Sequence, residues 1–190
     1  TWNRLTEIER DVFRKLSVFR GSLTLDAARV VAGATRPVLR SLIDKSLLRV
    51  DSTGRYSLHE LLRQYGQEQL GLLPKTDRDT RDLHAHYYMD FLREREQDLV
   101  MRGAHTQAVE LMLLNLDNVR LAWEHAVRER WLGKLTGAME GYWGFHCMRG
   151  SSREGAGIFH ATAHILRKTT NVQTEVWQRL IALALACEGL

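Results

Sequence analysis

Histidine pairs offer the first chemistry to consider. His160 and His164, in the run HATAH, have the i, i+4 spacing that puts two imidazoles on one helix face, as a zinc site requires. Ala161 stands where an HExxH motif carries its catalytic glutamate. His84 and His86 are two residues apart, so they diverge on a helix and are poor partners. We therefore predict no metal site and expect His160 and His164 to have a surface or packing role.

Signatures of nucleotide and nucleophile chemistry are missing from the sequence. It contains neither a GxxxxGK[ST] loop nor a GxGxxG turn, so it cannot cradle a triphosphate in either usual way. No serine or cysteine lies in the context of a catalytic triad or nucleophile elbow. Cys147 and Cys187 match no metal or redox spacing and are predicted to be buried free thiols. We predict no catalytic residue and no cofactor within the chain, which favours a binding module over an enzyme.

His59 differs from the other histidines because it begins a predicted helix. Unpaired backbone N–H groups and the positive end of the helix dipole favour anions at such a position. An imidazole there can donate a hydrogen bond to a phosphate. The alternative is an N-terminal histidine that faces solvent, and its position alone does not decide between the two.

The elements around His59 are predicted from residues 47–70. An apolar run at 47–50, turn residues ending at Gly54 and a polar–apolar alternation at 55–58 predict a β-hairpin. From His59 the apolar spacing becomes helical. A hairpin that follows three helices and precedes another is typical of a winged-helix domain.

Three helices are predicted before the hairpin. Thr6 and Glu9 have capping-box spacing ahead of an apolar stripe that begins at Ile8 and ends near residues 20–21. A second helix is predicted at 25–32, closed by Gly33, and a third carries Pro37 in its first turn.

The third helix would be the recognition helix of a DNA-binding winged helix. Its outward residues are expected to be Arg36, Arg40, Ser41 and Lys45. A solvated helix face is the competing interpretation, because Asp44 interrupts the basic residues and no aromatic, Asn or Gln base reader accompanies them. The net charge of +4 lies entirely in residues 1–72, which permits a nucleic-acid surface without demonstrating one.

The second part of the chain is predicted to be helical. Residues 71–79 contain the glycine, proline and polar cluster of a junction, so we predict a winged-helix domain at 1–73 and a helical domain at 74–190. Helices are expected at about 80–100, 105–115, 116–129, 132–148, 153–168 and 172–187. Helix, turn and helix in about 34 residues is the size of a tetratricopeptide (TPR) unit, although Trp143 stands where that repeat carries a small residue. The predicted fold is mainly α, with a TPR-like second domain.

The last helix is expected to leave an apolar face uncovered, because a repeat array buries each unit against the next. The residues of this face are Val176, Trp177, Leu180, Ile181, Leu183 and Ala184. We therefore predict a truncated array and possible self-association through this helix. With no run approaching the ~18 apolar residues of a membrane span, we also expect a soluble cytoplasmic protein with no membrane partner.

Two runs carry a resemblance to a known family: RKLSVFRGSLTLDAARVVAG and LIDKSLLRVDSTGRYSLHELLRQYGQEQL. They resemble the winged-helix module of bacterial STAND-type regulatory ATPases, relatives of the plant NB-ARC proteins, as in LuxR/AfsR-like transcriptional regulators. Leu58, His59 and Glu60 fall where that family carries Met-His-Asp, with Leu58 replacing Met and Glu60 replacing Asp. The resemblance covers roughly residues 1–130.

The resemblance implies a signalling switch. His59 would read the phosphates of ADP held by an ATPase domain upstream in the same chain, so ATP and ADP are implied for the parent protein and not for this segment. The helical repeats would bind a protein or small-molecule effector, and DNA would be contacted weakly or through another domain. The alternative is a DNA-binding winged-helix transcription factor with a helical dimerisation or effector domain.

Overall fold

The computed structural model describes residues 2–100, 105–169 and 174–189. These residues are mainly helical, with one small three-stranded sheet among them. The chain divides into two compact units, Thr1–Tyr87 (unit 1) and Tyr88–Leu190 (unit 2). Within the described ranges, no helix combines the length and apolar character needed to cross a bilayer.

Unit 1 begins with a short 3₁₀ turn at Trp2–Arg4 and continues through helices and strands. Its helices are α1 Glu7–Leu16, α2 Leu25–Ala32, α3 Arg36–Asp44, α4 Glu60–Gly71 and the first part of α5 Pro74–Glu94. The predicted caps are confirmed: Thr6 and Glu9 form a capping box, and Gly33 ends α2 with a φ of 64°.

The sheet of unit 1 contains strands β1 Ser22–Leu23, β2 Arg49–Val50 and β3 Tyr56–Ser57. Their order is β1-β3-β2, and both pairings are antiparallel. The β2–β3 pair confirms the predicted hairpin, with Gly54 in its turn at a φ of 78°. Strand β1 was not predicted, because two residues are too short to show an alternating pattern.

The core of unit 1 forms where α1 packs against α2, α3 and α4. Phe13 and Leu16 are fully buried there, and a Cβ on Gly66 of α4 would lie only 2.8 Å from Ser17 Cβ. The predicted stripe was wrong at its start, because Ile8 is 67% exposed. Helix α1 also ends at Leu16, where the Ser17 hydroxyl donates to the Arg14 carbonyl.

The predicted junction at 71–79 is largely helical. Helix α4 ends at Gly71 and α5 begins at Pro74, so only two residues separate them. Proline fits the first helical position because its fixed φ is helical and its missing N–H would be unpaired there anyway. Helix α5 contributes residues to both units, and the domain boundary at 73/74 stays a prediction.

Unit 2 contains the rest of α5 followed by five helices within the described residues. They are α6 Glu96–Val100, α7 His105–Arg128, α8 Leu132–Arg149, α9 Ser152–Thr169 and α10 Thr174–Glu188. Two predictions were wrong here. The helix expected at 80–100 starts earlier and is interrupted at Arg95, and the two helices expected at 105–129 are one. No glycine or proline interrupts α7, and the Asn115 amide is satisfied inside it by the Leu111 carbonyl at 2.7 Å.

An aromatic cluster lies at the centre of unit 2, where α7, α8 and α9 meet. The Trp123 ring centroid is 5.2 Å from that of Tyr142 and 5.9 Å from that of Phe159. All three side chains are buried. A Cβ on Gly141 would lie 2.5 Å from the Leu92 carbonyl oxygen, so α8 approaches that backbone as only glycine permits.

The expectation of an uncovered face on α10 was wrong for three of its six residues. Val176, Leu180 and Ala184 are buried, because α10 packs on the preceding helix α9 and on α8, whereas Trp177, Ile181 and Leu183 are half-buried. The residues at i, i+4 and i+8 therefore face helices already present, and the strongest basis for self-association through this face is lost. The predicted start of the helix, Val172, lies outside the described residues.

Candidate functional site

The arginine face of α3 is defined by Arg36 and Arg40. Arg36 is the first residue of the helix and is exposed. Arg40 follows one turn later, with 77% of its side chain exposed and its Nε 3.1 Å from Asp44 Oδ1. An exposed i, i+4 pair of this kind contributes only about 0.3–0.5 kcal/mol, so Arg40 can exchange Asp44 for another anion.

Lys45 differs from the arginines. Its Nζ lies 2.5 Å from Oε1 of Glu9, whose side chain is only 8% exposed, and the Ser41 hydroxyl donates to the same oxygen. The hydrogen bonds from Lys45 and Ser41 lower the pKa of Glu9 to about 2. The sequence analysis expected Ser41 and Lys45 to face outward, but both side chains are directed to α1. The charge of Lys45 is therefore compensated within unit 1.

Arg49, on strand β2, is a further exposed cation of unit 1 that the sequence analysis did not select. Among the described residues, no carboxylate lies within ion-pair distance of Arg36 or Arg49. The signal in the sequence was an arginine in a predicted hairpin strand, which is also common on any solvated strand. In helix-turn-helix proteins the N-terminal residues of the recognition helix contact the base edges of a duplex.

His59 is the N-cap of α4, which agrees with its predicted position. Its Nδ1 accepts a hydrogen bond from the Leu61 backbone N–H at 3.3 Å, and the residue is exposed. A neutral imidazole that accepts at Nδ1 carries its proton on Nε2 and can donate from there. The neighbouring Glu60 is held by Arg63 through two contacts of 2.8 and 2.6 Å, and the hydrogen bonds from Arg63 and Gln64 lower its pKa to about 2.

The histidines of the HATAH run do not converge on a metal-binding cluster. His160 Nε2 lies 3.1 Å from Glu188 Oε1, and His164 is exposed on α9. Across the described ranges, no group of three or more His, Cys, Asp or Glu side chains could hold a metal ion.

Unit 2 contains a pocket of about 540 Å³ between α7 and α9, with α8 at its base. Its lining residues are Arg120, Trp123, Glu124, Val127, Arg128, Arg130, Tyr142, Glu154, Ile158, Ala161, Thr162 and Ile165. Ligand pockets for small molecules typically measure about 300–1,000 Å³. The sequence analysis did not find this pocket, because its residues come from three helices whose packing no local pattern reveals.

The base of the pocket is rigidly held. Trp123 Nε1 donates to Thr162 Oγ1 at 2.9 Å, and that hydroxyl donates to the Ile158 carbonyl at 2.8 Å. Tyr142 is 1% exposed, and burial raises the pKa of its hydroxyl, so it stays neutral. The base is therefore a closely packed aromatic floor whose polar atoms are largely satisfied by the protein.

The charges around the pocket are unequally compensated. Arg120 donates to Glu154, and this hydrogen bond raises the pKa of Arg120. Burial alone would raise the pKa of Glu154, but the hydrogen bond from Arg120 lowers it. Arg128 lies 3.0 Å from His125 Nδ1 and 3.7 Å from Glu129 Oε1. Arg130, with a positive φ of 58°, has no ion-pair partner among the described residues.

Comparison with known proteins gives three mycobacterial relatives. The chain is 32% identical over 146 residues to a protein of Mycobacterium bovis and to one in each of two Mycobacterium tuberculosis strains, all with the words HTH-type transcriptional regulator in their names. The match covers 72% of this chain and 16% of each relative. No family model and no solved structure matches the chain. The names describe whole proteins, and most of each relative lies outside the matched segment.

Proposed function

We propose that this chain is a segment of a transcriptional regulator, in which unit 1 is a winged-helix module that contacts DNA and unit 2 is a TPR-like helical domain that binds an effector. The observation that carries the proposal is the 32% identity with regulators of HTH type over most of the chain. The helix order and β2–β3 hairpin of unit 1 agree with this class of DNA-binding module.

The proposed DNA contact is made by the arginine face of α3 and by Arg49. Arg36 lies at the N-terminus of α3, which is the part of a recognition helix that reaches the bases. Arginines contact phosphate oxygens as readily as base edges, and no Asn or Gln of α3 supports them. We therefore expect weak binding that depends on charge more than on sequence.

Variants of the 190-residue chain test this contact. Arg36→Gln combined with Arg40→Gln should weaken binding to a labelled 20-bp duplex at least fivefold at 50 mM salt, measured by fluorescence anisotropy. Arg29→Gln is the matched control, because Arg29 is also exposed and paired at i, i+3 with Asp26, but on α2. Equal affinities for wild type, double variant and control would remove α3 from the DNA-contacting surface.

A second candidate function rests on His59. Its exposed position at the N-cap of α4 leaves Nε2 able to donate to an anion. Together with the resemblance to STAND-type modules, this supports a sensor of ADP phosphates on an ATPase domain of the parent protein. His59→Ala in that parent should speed ADP release by about tenfold or more, since a charge-assisted hydrogen bond contributes roughly 1.5–3 kcal/mol. An unchanged ADP off-rate with an intact fold would leave His59 as a helix cap alone.

A further inference from the structure

The pocket of unit 2 combines an aromatic base with an apolar wall. Trp123 and Tyr142 form the base, and Ile158 and Ile165 lie on the wall contributed by α9. Ile165 is 46% exposed, so this part of the wall is accessible to a ligand. From Glu154 to Ile165 the wall extends about 16 Å at 1.5 Å per residue, enough for a molecule of two or three fused or linked rings.

Arg130 is the lining cation that could bind an anion, because it has no ion-pair partner among the described residues. The guanidinium of Arg120 is ion-paired with Glu154, so these two residues together contribute no net charge. Arg128, the last residue of α7, is paired with Glu129 at 3.7 Å, and the exposed carboxylate of Glu124 also lines the pocket. The guanidinium of Arg130 can therefore bind an anion beside an apolar volume, and arginine is well suited to carboxylate, sulfonate and phosphate groups.

We infer that this pocket binds a small amphipathic molecule with an aromatic or aliphatic ring body and one anionic group, the body lying against Ile158 and Ile165 over the buried Trp123 and Tyr142, and the anion on Arg130. This inference names the ligand class for the effector role proposed for unit 2, and rests on that role. A small molecule fits better than a partner helix, because the volume of about 540 Å³ is that of a small-molecule pocket and its polar base atoms are already hydrogen-bonded.

Two probes of nearly equal shape test the ligand class. 1-Anilinonaphthalene-8-sulfonate carries a sulfonate, whereas N-phenyl-1-naphthylamine is the same ring body without it. Titrated by fluorescence into the 190-residue chain, the sulfonate should bind at one site per chain and about fivefold more tightly than the neutral probe. Equal affinities would overturn the anionic class, and binding of neither probe would overturn the pocket.

Pocket variants locate the bound probe. Ala161→Trp places a large side chain into the pocket from an exposed position and should reduce the affinity for both probes at least tenfold. Ala182→Trp, at an exposed position on α10 outside the pocket, is the matched control. If Ala161→Trp binds as wild type does while circular dichroism shows the native helix content, the probe lies elsewhere and the assignment is wrong.

Charge variants test the role of Arg130. Arg130→Asn should weaken sulfonate binding about fivefold and leave the neutral probe unchanged, since asparagine tolerates a positive φ. Arg153→Gln is the control for an exposed arginine of α9 that does not line the pocket. A loss for both probes in Arg130→Asn would indicate a structural role for Arg130 and contradict the anion contact.

The remaining alternative is occupation by a second copy of the chain. Sedimentation velocity should show a monomer across micromolar concentrations, and a dimer that is lost in Ala161→Trp would overturn the small-molecule occupant. These experiments contain no DNA. Failure of the DNA titration would therefore not affect them, and failure of probe binding would not affect the DNA contact.

Discussion

Lys45 Nζ lies 2.5 Å from Glu9 Oε1, so a cation predicted to lie on the outward face of α3 joins the end of this helix to α1 instead. Arg36 and Arg40 of α3 remain exposed. The candidate DNA surface therefore contains fewer cations than the sequence indicates, and the buried Glu9 carboxylate contributes to the stability of unit 1.

Acidification should destabilise unit 1 through Glu9. Its pKa is lowered to about 2 in the folded state by Lys45 and Ser41, against 4.5 ordinarily. Because the carboxylate pKa is lowered, its contribution to folding stability is complete above about pH 4.5 and is lost as the pH falls towards 2.

The Glu9→Gln variant should cost about 2–3 kcal/mol of unfolding free energy at pH 7 and flatten the pH dependence between about pH 4.5 and 2, measured by urea denaturation. Asp26→Asn, at an exposed ion pair, should cost less than about 1 kcal/mol. A Glu9→Gln profile parallel to wild type would contradict this assignment.

As the pH falls, unit 2 should begin to lose stability at a higher pH than unit 1, because of His146. Burial lowers the pKa of this imidazole to about 4, and its Nε2 has no hydrogen-bond partner among the described residues. The unfolded chain takes up the proton near pH 6.5, so stability is complete above that value and decreases by up to about 3 kcal/mol as the pH falls towards 4. Hydrogen exchange followed by mass spectrometry should show loss of protection first in 105–169 and later in 2–87. His146→Gln should abolish the earlier step; simultaneous loss in both units of the wild type would argue against separate titrations.

Two glycines of α9 should respond to alanine in opposite directions. A Cβ on Gly155 would lie 2.9 Å from His146 Cβ and 3.1 Å from Cys187 Sγ, whereas one on Gly157 would meet nothing within 4 Å. Gly155→Ala should destabilise the chain by about 1–3 kcal/mol through overpacking, and Gly157→Ala should stabilise it by about 0.5–1 kcal/mol through its helix propensity. Thermal unfolding measures both changes. Equal effects of the two variants would show that α9 does not pack as described.

The two thiols should react slowly. Burial raises the pKa of Cys147 to about 11 and also raises that of Cys187, which is 1% exposed. Because the thiolate is the nucleophile, alkylation of Cys147 by iodoacetamide at pH 7.5 should be about tenfold or more slower than that of a small free thiol, and should accelerate towards pH 11. Peptide mass spectrometry follows the reaction. Cys147 is only partly buried, so the burial predicted from the sequence is confirmed for Cys187 and not for Cys147. Modification of Cys147 at the rate of a free thiol would contradict its raised pKa.

The elements of unit 1 were largely predictable from sequence because their signals are local. The Thr6–Glu9 capping box, the positive φ of Gly33 and the Gly54 turn are each determined within a few residues. Strand β1 and the direction of Lys45 depend on long-range pairing, with β3 in one case and Glu9 in the other. The periodicity of apolar residues along the chain does not show which distant residue will be the partner.

The candidate sites divide in the same way. His59 could be placed at a helix start from the change in apolar spacing alone, and α4 begins directly after it. The unit 2 pocket could not be predicted from local spacing, since Trp123, Tyr142 and Thr162 lie on three different helices and come together only when these helices pack. The prediction for α10 failed because its i, i+4 pattern shows which residues form an apolar face but not which helix covers that face.

The salt dependence of DNA binding by the 190-residue chain tests the proposed function most directly. Anisotropy titrations with two 20-bp duplexes of unrelated sequence, at several salt concentrations from 50 to 200 mM, give the slope of log K against log salt. Contacts from Arg36, Arg40 and Arg49 to about three phosphates predict a slope near −2.7, equal for both duplexes, which decreases in magnitude by about 1.8 in the Arg36→Gln, Arg40→Gln variant. No binding at 50 mM salt, or a slope that the double substitution leaves unchanged, would contradict DNA contact through α3.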